Sequence, residues 1–251
     1  MGVDVFRTAA REGRLLFNAW TVLGSPYAIE IFGAAGWDVL TLDQQHGLGG
    51  YDTLVNCLTA ARAAGLPALV RVAASEADLI GRALDGGAQG VICPMIYSAE
   101  DAESAVRAVK YPPRGTRSWG PYRAQFMSDG DYVTQANDWT VACIQIETAS
   151  ALDQLDDILA IEGLDMVLAG PNDLSMTLLG HADIRAREVT DALDLICRKA
   201  REANVMTAVF ANDVDYARPL AKAGWGVLTV GTDGGMLEDA ARSVLAELRP
   251  S

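Results

Sequence analysis

The sequence predicts an α/β fold, a single (β/α)8 TIM-type barrel formed by one domain over residues 1–251. Three observations predict it. The chain has 251 residues, 50% of them hydrophobic, which is the usual size of one such barrel and enough for a large core. Short apolar runs recur eight times, at residues 15–20, 39–42, 68–72, 91–93, 141–146, 166–169, 206–210 and 227–230. Runs this short and apolar read as strands buried on both faces, as in an all-parallel sheet. Between them lie amphipathic stretches with helical spacing at 51–64, 76–84, 99–109, 150–160, 189–203 and 214–223, and several end in glycine, as at Gly65, Gly86 and Gly224.

In chain order, the first run ends at Trp20 and the second leads into Leu42-Asp43-Gln44-Gln45-His46-Gly47. The third, Leu69-Val70-Arg71-Val72, carries a permanent charge in an apolar strand. A long insertion after strand four, residues 111–139, opens with Tyr111-Pro112-Pro113-Arg114-Gly115 and holds a cluster of aromatics. It exceeds a minimal βα loop, and connections of that length tend to be functional or to pack against another subunit. Glu147 follows the fifth run, Asp173 closes the sixth, and Phe210 ends the seventh.

Composition narrows the function. A formal net charge of −13 repels nucleic acid and anionic membranes and leaves a small molecule as the expected partner. Cys57, Cys93, Cys143 and Cys197 lack C-x-x-C spacing and read as reduced, mostly buried thiols. With no signal-peptide pattern and no apolar stretch long enough to span a bilayer, a cytoplasmic location is expected. Two histidines exclude a His-rich zinc centre, and the three lysines all sit near helix ends, where none can form a Schiff base at the barrel mouth. Dinucleotide-binding, phosphate-loop and nucleophile-elbow motifs do not occur.

Active sites of such barrels gather at the C-terminal ends of the strands, so strand-end polar residues carry the chemistry. Glu147 and Asp173 end neighbouring parallel strands about 5 Å apart, and a pair of hard oxygen ligands that close suits Mg²⁺ or Mn²⁺. The bland alternative is two solvated acids. Arg71 is the candidate guanidinium for a developing negative charge; otherwise it forms a barrel-end ion pair. His46 suits a general acid or base, or else is a loop histidine with a structural hydrogen bond. His181 reads as a surface residue.

Taken together, seven segments resemble the class II, metal-dependent pyruvate aldolases of the 4-hydroxy-2-oxoheptanedioate and 2-dehydro-3-deoxyglucarate aldolase type, the hydroxy-ketoacid aldolases. They are Leu42-Asp43-Gln44-Gln45-His46, Leu69-Val70-Arg71, Leu84-Asp85-Gly86-Gly87-Ala88-Gln89-Gly90, Pro94-Met95, Tyr111-Pro112-Pro113-Arg114-Gly115-Thr116-Arg117, Gln145-Ile146-Glu147 and Gly170-Pro171-Asn172-Asp173-Leu174-Ser175. The resemblance implies reversible aldol cleavage of 4-hydroxy-2-oxo acids to pyruvate and an aldehyde through a metal-stabilised enolate. It assigns the divalent metal to Glu147 and Asp173, enolate stabilisation to Arg71, acid/base work to His46, and orientation of His46 to Asp85, which would otherwise pass as a helix-end acid. Gln145, Gly170, Pro171, Asn172 and Asp173 would bind the pyruvate unit, with Leu174-Ser175 opening a short helix behind them. Phe210 would shape the aldehyde side, unless it is a core residue pointing away from the mouth. A symmetric homo-oligomer, commonly a hexamer, is implied as well.

Two departures stand out. Many relatives place an acid directly before the histidine where this chain has Gln45, and the following loop is Gly47-Leu48-Gly49-Gly50 instead of a more polar turn; both bear on aldehyde preference. The rival readings are a related metal-dependent lyase for a coenzyme A thioester or phosphoenolpyruvate-like substrate, which would need Arg114, Arg117 and Arg123 near the pocket, and a non-catalytic keto-acid-binding barrel.

Overall fold

The computed structural model describes residues 2–127 and 130–249; Met1, Pro250 and Ser251, and Ser128 and Asp129 of the long connection, lie outside the described residues. The strands are β1 (Leu16–Thr21), β2 (Val39–Asp43), β3 (Ala68–Arg71), β4 (Gly90–Cys93), β5 (Val141–Ile146), β6 (Met166–Ala169), β7 (Met206–Ala211) and β8 (Val227–Val230). Each pairs in parallel with the next, and β8 returns to β1 to close the barrel. Every strand falls within two residues of its apolar run.

Strand side chains alternate between the two faces. Leu16, Leu69, Ile92, Cys143 and Leu168 fill the barrel interior, while Leu40, Val70, Val91, Ile144 and Val167 pack under the helices. This parity decides which strand-end residues face the mouth. At the opposite end, α1 (Gly2–Glu12) inserts Phe6 and Ala9 against the interior cluster and closes the barrel floor.

The outer layer continues with α2 (Pro26–Ala35), α3 (Tyr51–Ala63), α4 (Ala77–Asp85) and α5 (Ala99–Val109). The long connection follows α5 and leads to β5, carrying a 3-10 turn (Ala124–Met127) and α6 (Tyr132–Trp139). Buried Lys110 staples it: Nζ donates to Thr140 O at 2.7 Å and Asn137 O at 3.0 Å, and pairs with Asp165 at 2.7 Å. The helix expected over 150–160 is instead two short ones, α7 (Ala149–Asp153) and α8 (Leu155–Leu159), because Gln154 leaves helical geometry. Its Oε1 accepts from the Ala99 amide at the start of α5, at 3.1 Å.

Past β6 come α9 (Pro171–Leu179), α10 (Arg187–Glu202) and α11 (Val214–Leu220). The last helix, α12 (Asp233–Leu248), is pinned at its start, where buried Asp233 accepts from Thr21 Oγ1 at 2.5 Å and the Val22 amide at 2.8 Å. From Met236 onward every described residue is exposed, including Leu237, Val244, Leu245 and Leu248. Phe17, which points outward from β1, is 45% exposed.

Candidate active site

Inward parity and strand ends converge on one cavity of about 350 Å³ at the C-terminal mouth, lined by Trp20, Asp43, His46, Arg71, Gln145, Asp173 and Phe210 among others. Asp43 and Arg71 lie opposite each other in the β2–β3 register and form a two-point ion pair, Nε to Oδ1 at 3.0 Å and Nη2 to Oδ2 at 2.5 Å. Burial alone would raise the Asp43 pKa, but the Arg71 hydrogen bond and charge, helped by the His46 amide and Trp20, hold it below the ordinary value. Asp43 therefore stays ionised.

The same carboxylate shapes the loop that follows. Oδ1 accepts from the amides of Gln45 at 2.9 Å and His46 at 3.2 Å, a local turn that presents His46 at the rim. A Cβ on Gly47 would lie 2.0 Å from Asp43 O, so the turn closes only with glycine there. Trp20 completes the set: its indole N–H donates to Asp43 Oδ2 at 3.2 Å, its ring lies 5.0 Å from the Arg71 guanidinium carbon, and Phe210 meets it edge-on at 5.3 Å. Nη1 of Arg71 makes no protein hydrogen bond among the described residues.

Across the mouth, Glu147 is 1% exposed. Burial raises its pKa to about 7; Asp173 adds to the rise, while the Met95 amide and Arg71 oppose it. Oε1 accepts from the Met95 N–H at 2.7 Å, and Oε2 from Gln145 Nε2 at 2.5 Å. Met95 reaches that position with φ of 54°, which is uncommon for a residue with a side chain. A Cβ on Gly170 would come within 2.8 Å of Gln145 Nε2 and 2.9 Å of Glu147 Oε2, so glycine alone lets the start of α9 approach these groups.

Glu147 and Asp173 are thus two acids held together with insufficient positive charge, and the buried Gln145 Oε1 beside them has no hydrogen-bond partner. A hard divalent cation fits this all-oxygen donor set. No group of three or more His, Cys, Asp or Glu side chains suited to a metal occurs among the described residues, so substrate and water oxygens would have to complete the shell.

Other expected residues are placed as follows. Asn172 lines the mouth and exchanges two 3.1 Å amide hydrogen bonds with Asn212. The α9 helix begins at Pro171, three residues before the expected Leu174, so Asp173 lies within its first turn. Phe210 faces the cavity instead of the outer core. His181 is exposed, as expected.

Asp85 requires a correction. Within one chain it does not meet His46: it ends α4, and helices return antiparallel to the strands, so it sits toward the barrel floor. There its Oδ1 accepts from Arg117 Nη2 at 2.7 Å. Arg114 pairs with Asp138, and Arg123 donates to Gly86 O and Thr59, so the arginines wanted by a phosphate-bearing substrate do not line the mouth within one chain.

Three contributors were not assigned roles from the sequence: Trp20, the Met95 amide, and Asp43 as the partner of Arg71. For Asp43 the signal was present, since a buried arginine requires an anion and Asp43 ends the adjacent strand.

A family model described as HpcH/HpaI aldolase/citrate lyase matches residues 16–240. A hydroxypyruvate/pyruvate aldolase of Roseovarius nubinhibens is 34% identical over 249 residues, covering 98% of this chain and 97% of the relative. A 4-hydroxy-2-oxo-heptane-1,7-dioate aldolase of Klebsiella pneumoniae is 32% identical, with coverage of 97% and 93%. The crystal structure of an HpcH/HpaI aldolase/citrate lyase family protein from Burkholderia cenocepacia superposes with a TM-score of 0.91 at 33% identity, over 99% of this chain and 100% of that one. The match spans the whole barrel and both walls of the mouth, and the chain belongs to the HpcH/HpaI aldolase/citrate lyase family.

Proposed function

We propose that the chain catalyses reversible aldol cleavage of 4-hydroxy-2-oxo acids to pyruvate and an aldehyde. The observation that carries this reading is the mouth cavity itself, where Arg71, His46, Gln145 and Asp173 line one space of about 350 Å³. The family typically depends on a divalent metal, and Glu147 and Asp173, with the Gln145 amide oxygen beside them, would hold Mg²⁺ or Mn²⁺. Bound there, the cation supplies Lewis acidity to the 2-oxo group.

The chain's own groups do the rest. The first-turn amides of α9, near Asn172 and Asp173, receive the substrate carboxylate, as helix N-termini favour anions. His46 removes the proton from the C4 hydroxyl, C4 becomes the aldehyde carbonyl as the C3–C4 bond breaks, and the electron pair leaves as the pyruvate enolate. C3 then takes up a proton from solvent to give pyruvate, while His46 gives its own back. Asp43 holds Arg71 so that its free N–H edge meets the enolate oxygen, a donor aligned before charge develops. In the reverse direction His46 returns the proton to the new alkoxide. Phe210 bounds the aldehyde side with an apolar ring.

Assembly belongs to the same reading. The exposed apolar residues of α12 and the uncovered Phe17 complement each other, which favours a homo-oligomer in which α12 of one copy covers the β8–β1 seam of another; a hexamer is the form the sequence resemblance implies. Asp85 can orient His46 only across such an interface, from a second copy. A cytoplasmic location fits four free, buried cysteines and a chain whose described helices include none long and apolar enough to cross a membrane.

The test is a coupled pyruvate-release assay over a panel of 4-hydroxy-2-oxo acids, with and without chelator. Metal-dependent pyruvate release is expected, and its absence across the panel would overturn the proposal.

A further inference from the structure

A second cavity, of about 590 Å³, opens at the barrel floor between the end of α1 and the segments leading into β7 and β8. Its volume is in the range of small-ligand sites, and it lies at the opposite end of the barrel from the mouth. Its wall includes the buried rings of Phe6 and Trp225 and the four cations Arg11, Arg14, Arg201 and Lys222, with no aspartate or glutamate among the lining residues. In a chain of net charge −13 this is a local reversal of sign.

Local pairing leaves most of that charge unbalanced. Arg14 is neutralised by Asp38 at 3.0 Å. Arg11 makes only a 3.2 Å hydrogen bond to Thr8, and Arg201 and Lys222 make no ion pair among the described residues. The acids nearest in sequence are already engaged, Glu12 with Arg14 at 4.0 Å and Glu202 with Arg198 at 3.4 Å.

Helix C-termini account for part of it, because α1, α10 and α11 all end here. Each contributes about half a negative charge, so three unpaired cations still exceed the three helix ends by roughly one and a half charges. The Arg201 head lies over Gly224, where a Cβ would be 2.5 Å from Nη1. Glycine at that position, with φ of 92°, leaves the guanidinium room at the cavity edge.

We propose that this floor cavity is a second ligand site, for a small phosphorylated metabolite with a planar or apolar body. The phosphate would meet Arg201, Lys222 and Arg11, whose donors suit its oxygens, and the body would rest against the accessible apolar surface of Ala10, Leu15 and Met206, which the buried Phe6 and Trp225 back. The site is independent of the aldolase reading, since it shares no residue with the mouth.

The test is isothermal titration of the full-length chain with AMP, inorganic phosphate and adenosine. AMP is expected to bind saturably and more tightly than phosphate, adenosine not at all, with AMP affinity falling as salt is raised. The double variant Arg201→Glu/Lys222→Glu should weaken AMP by at least about tenfold while leaving pyruvate release at the parent rate, which confirms that it is folded. Failure of AMP to bind, equal binding by the double variant, or displacement of AMP by pyruvate would each overturn the proposal.

Discussion

Asp43 and Glu147 are both buried carboxylates near strand ends at one cavity mouth, yet the two walls that hold them treat charge in opposite ways. On the β2–β3 wall, Asp43 faces a guanidinium at 2.5 Å and accepts two backbone amides, and its pKa is lowered. On the β5–β6 wall, Glu147 has one backbone amide, a neutral amide side chain and a second carboxylate for company, and its pKa rises to about 7. One wall is electrostatically complete within the chain. The other carries negative charge that a proton or an added cation can neutralise. The contrast separates what the folded chain supplies, an aligned Arg71, from what the proposed function has it acquire, a divalent ion.

The largest effect is expected from breaking the complete wall. Arg71→Lys replaces a planar fork by a point charge that cannot satisfy Asp43 and an enolate oxygen together, so kcat should fall by about 100-fold or more. Pyruvate-release kinetics measure it, and a variant within about twofold of the parent would reduce Arg71 to a structural ion pair. Trp20→Phe, which deletes one donor to Asp43 and keeps a ring beside Arg71, should cost less, about 3- to 10-fold.

On the incomplete wall, Glu147→Gln or Asp173→Asn should lower affinity for Mg²⁺ or Mn²⁺ by about 10- to 100-fold. Calorimetry with the metal alone reads this directly, and unchanged affinity would remove the pair from the metal site.

The two carboxylates also predict opposite pH responses. The folded, cation-free chain holds the Glu147 proton more tightly than an ordinary glutamate of pKa 4.5, so the stability contributed by the neutral carboxyl is full below 4.5 and lost as pH rises through about 7. The contribution is on the order of 3 kcal/mol. The melting temperature of chelator-treated protein should therefore drop by several degrees between about pH 5 and about pH 8. Glu147→Gln, or excess divalent ion, should flatten that slope; a slope retained in Glu147→Gln would place its origin elsewhere. Asp43, with a lowered pKa, contributes stability above its ordinary value of 3.8 that is lost only as pH falls through its still lower folded value.

The smallest effect belongs to Phe210, which carries no charge and meets the β2–β3 wall only through the edge of the Trp20 ring. Because a buried methylene is worth only about 1–3 kcal/mol of discrimination, Phe210→Ala should reorder aldehyde preference by modest factors. Exchange of the pyruvate C3 protons with deuterium should be nearly unchanged. Loss of that exchange as severe as in Arg71→Lys, with the fold intact, would move Phe210 to the enolate side.

The strands were legible because a strand buried on both faces cannot hide its composition: each apolar run became a strand, shifted by two residues at most. Glu147 and Asp173 were legible because strand ends in a closed parallel barrel have one place to go. Parity along a strand likewise put Arg71 and Phe210 in the mouth. Helix continuity was harder to read, since the break at Gln154 depends on a hydrogen bond to Ala99, 55 residues away.

Sequence by itself determined the barrel, its strand order and the short list of residues able to do chemistry, because periodicity and composition are local properties that every strand repeats. Tertiary structure decided which of those residues meet. Asp43 is the partner of Arg71 through the β2–β3 register, and Trp20 joins them from β1. Asp85 belongs to the floor within one chain, because the direction of α4 carries it away from His46. The exposed α12 was equally invisible in the linear pattern, since an apolar stripe is the same whether it packs on its own barrel or waits for another surface. Pairing across the fold is a matter of register and direction, which no single segment encodes.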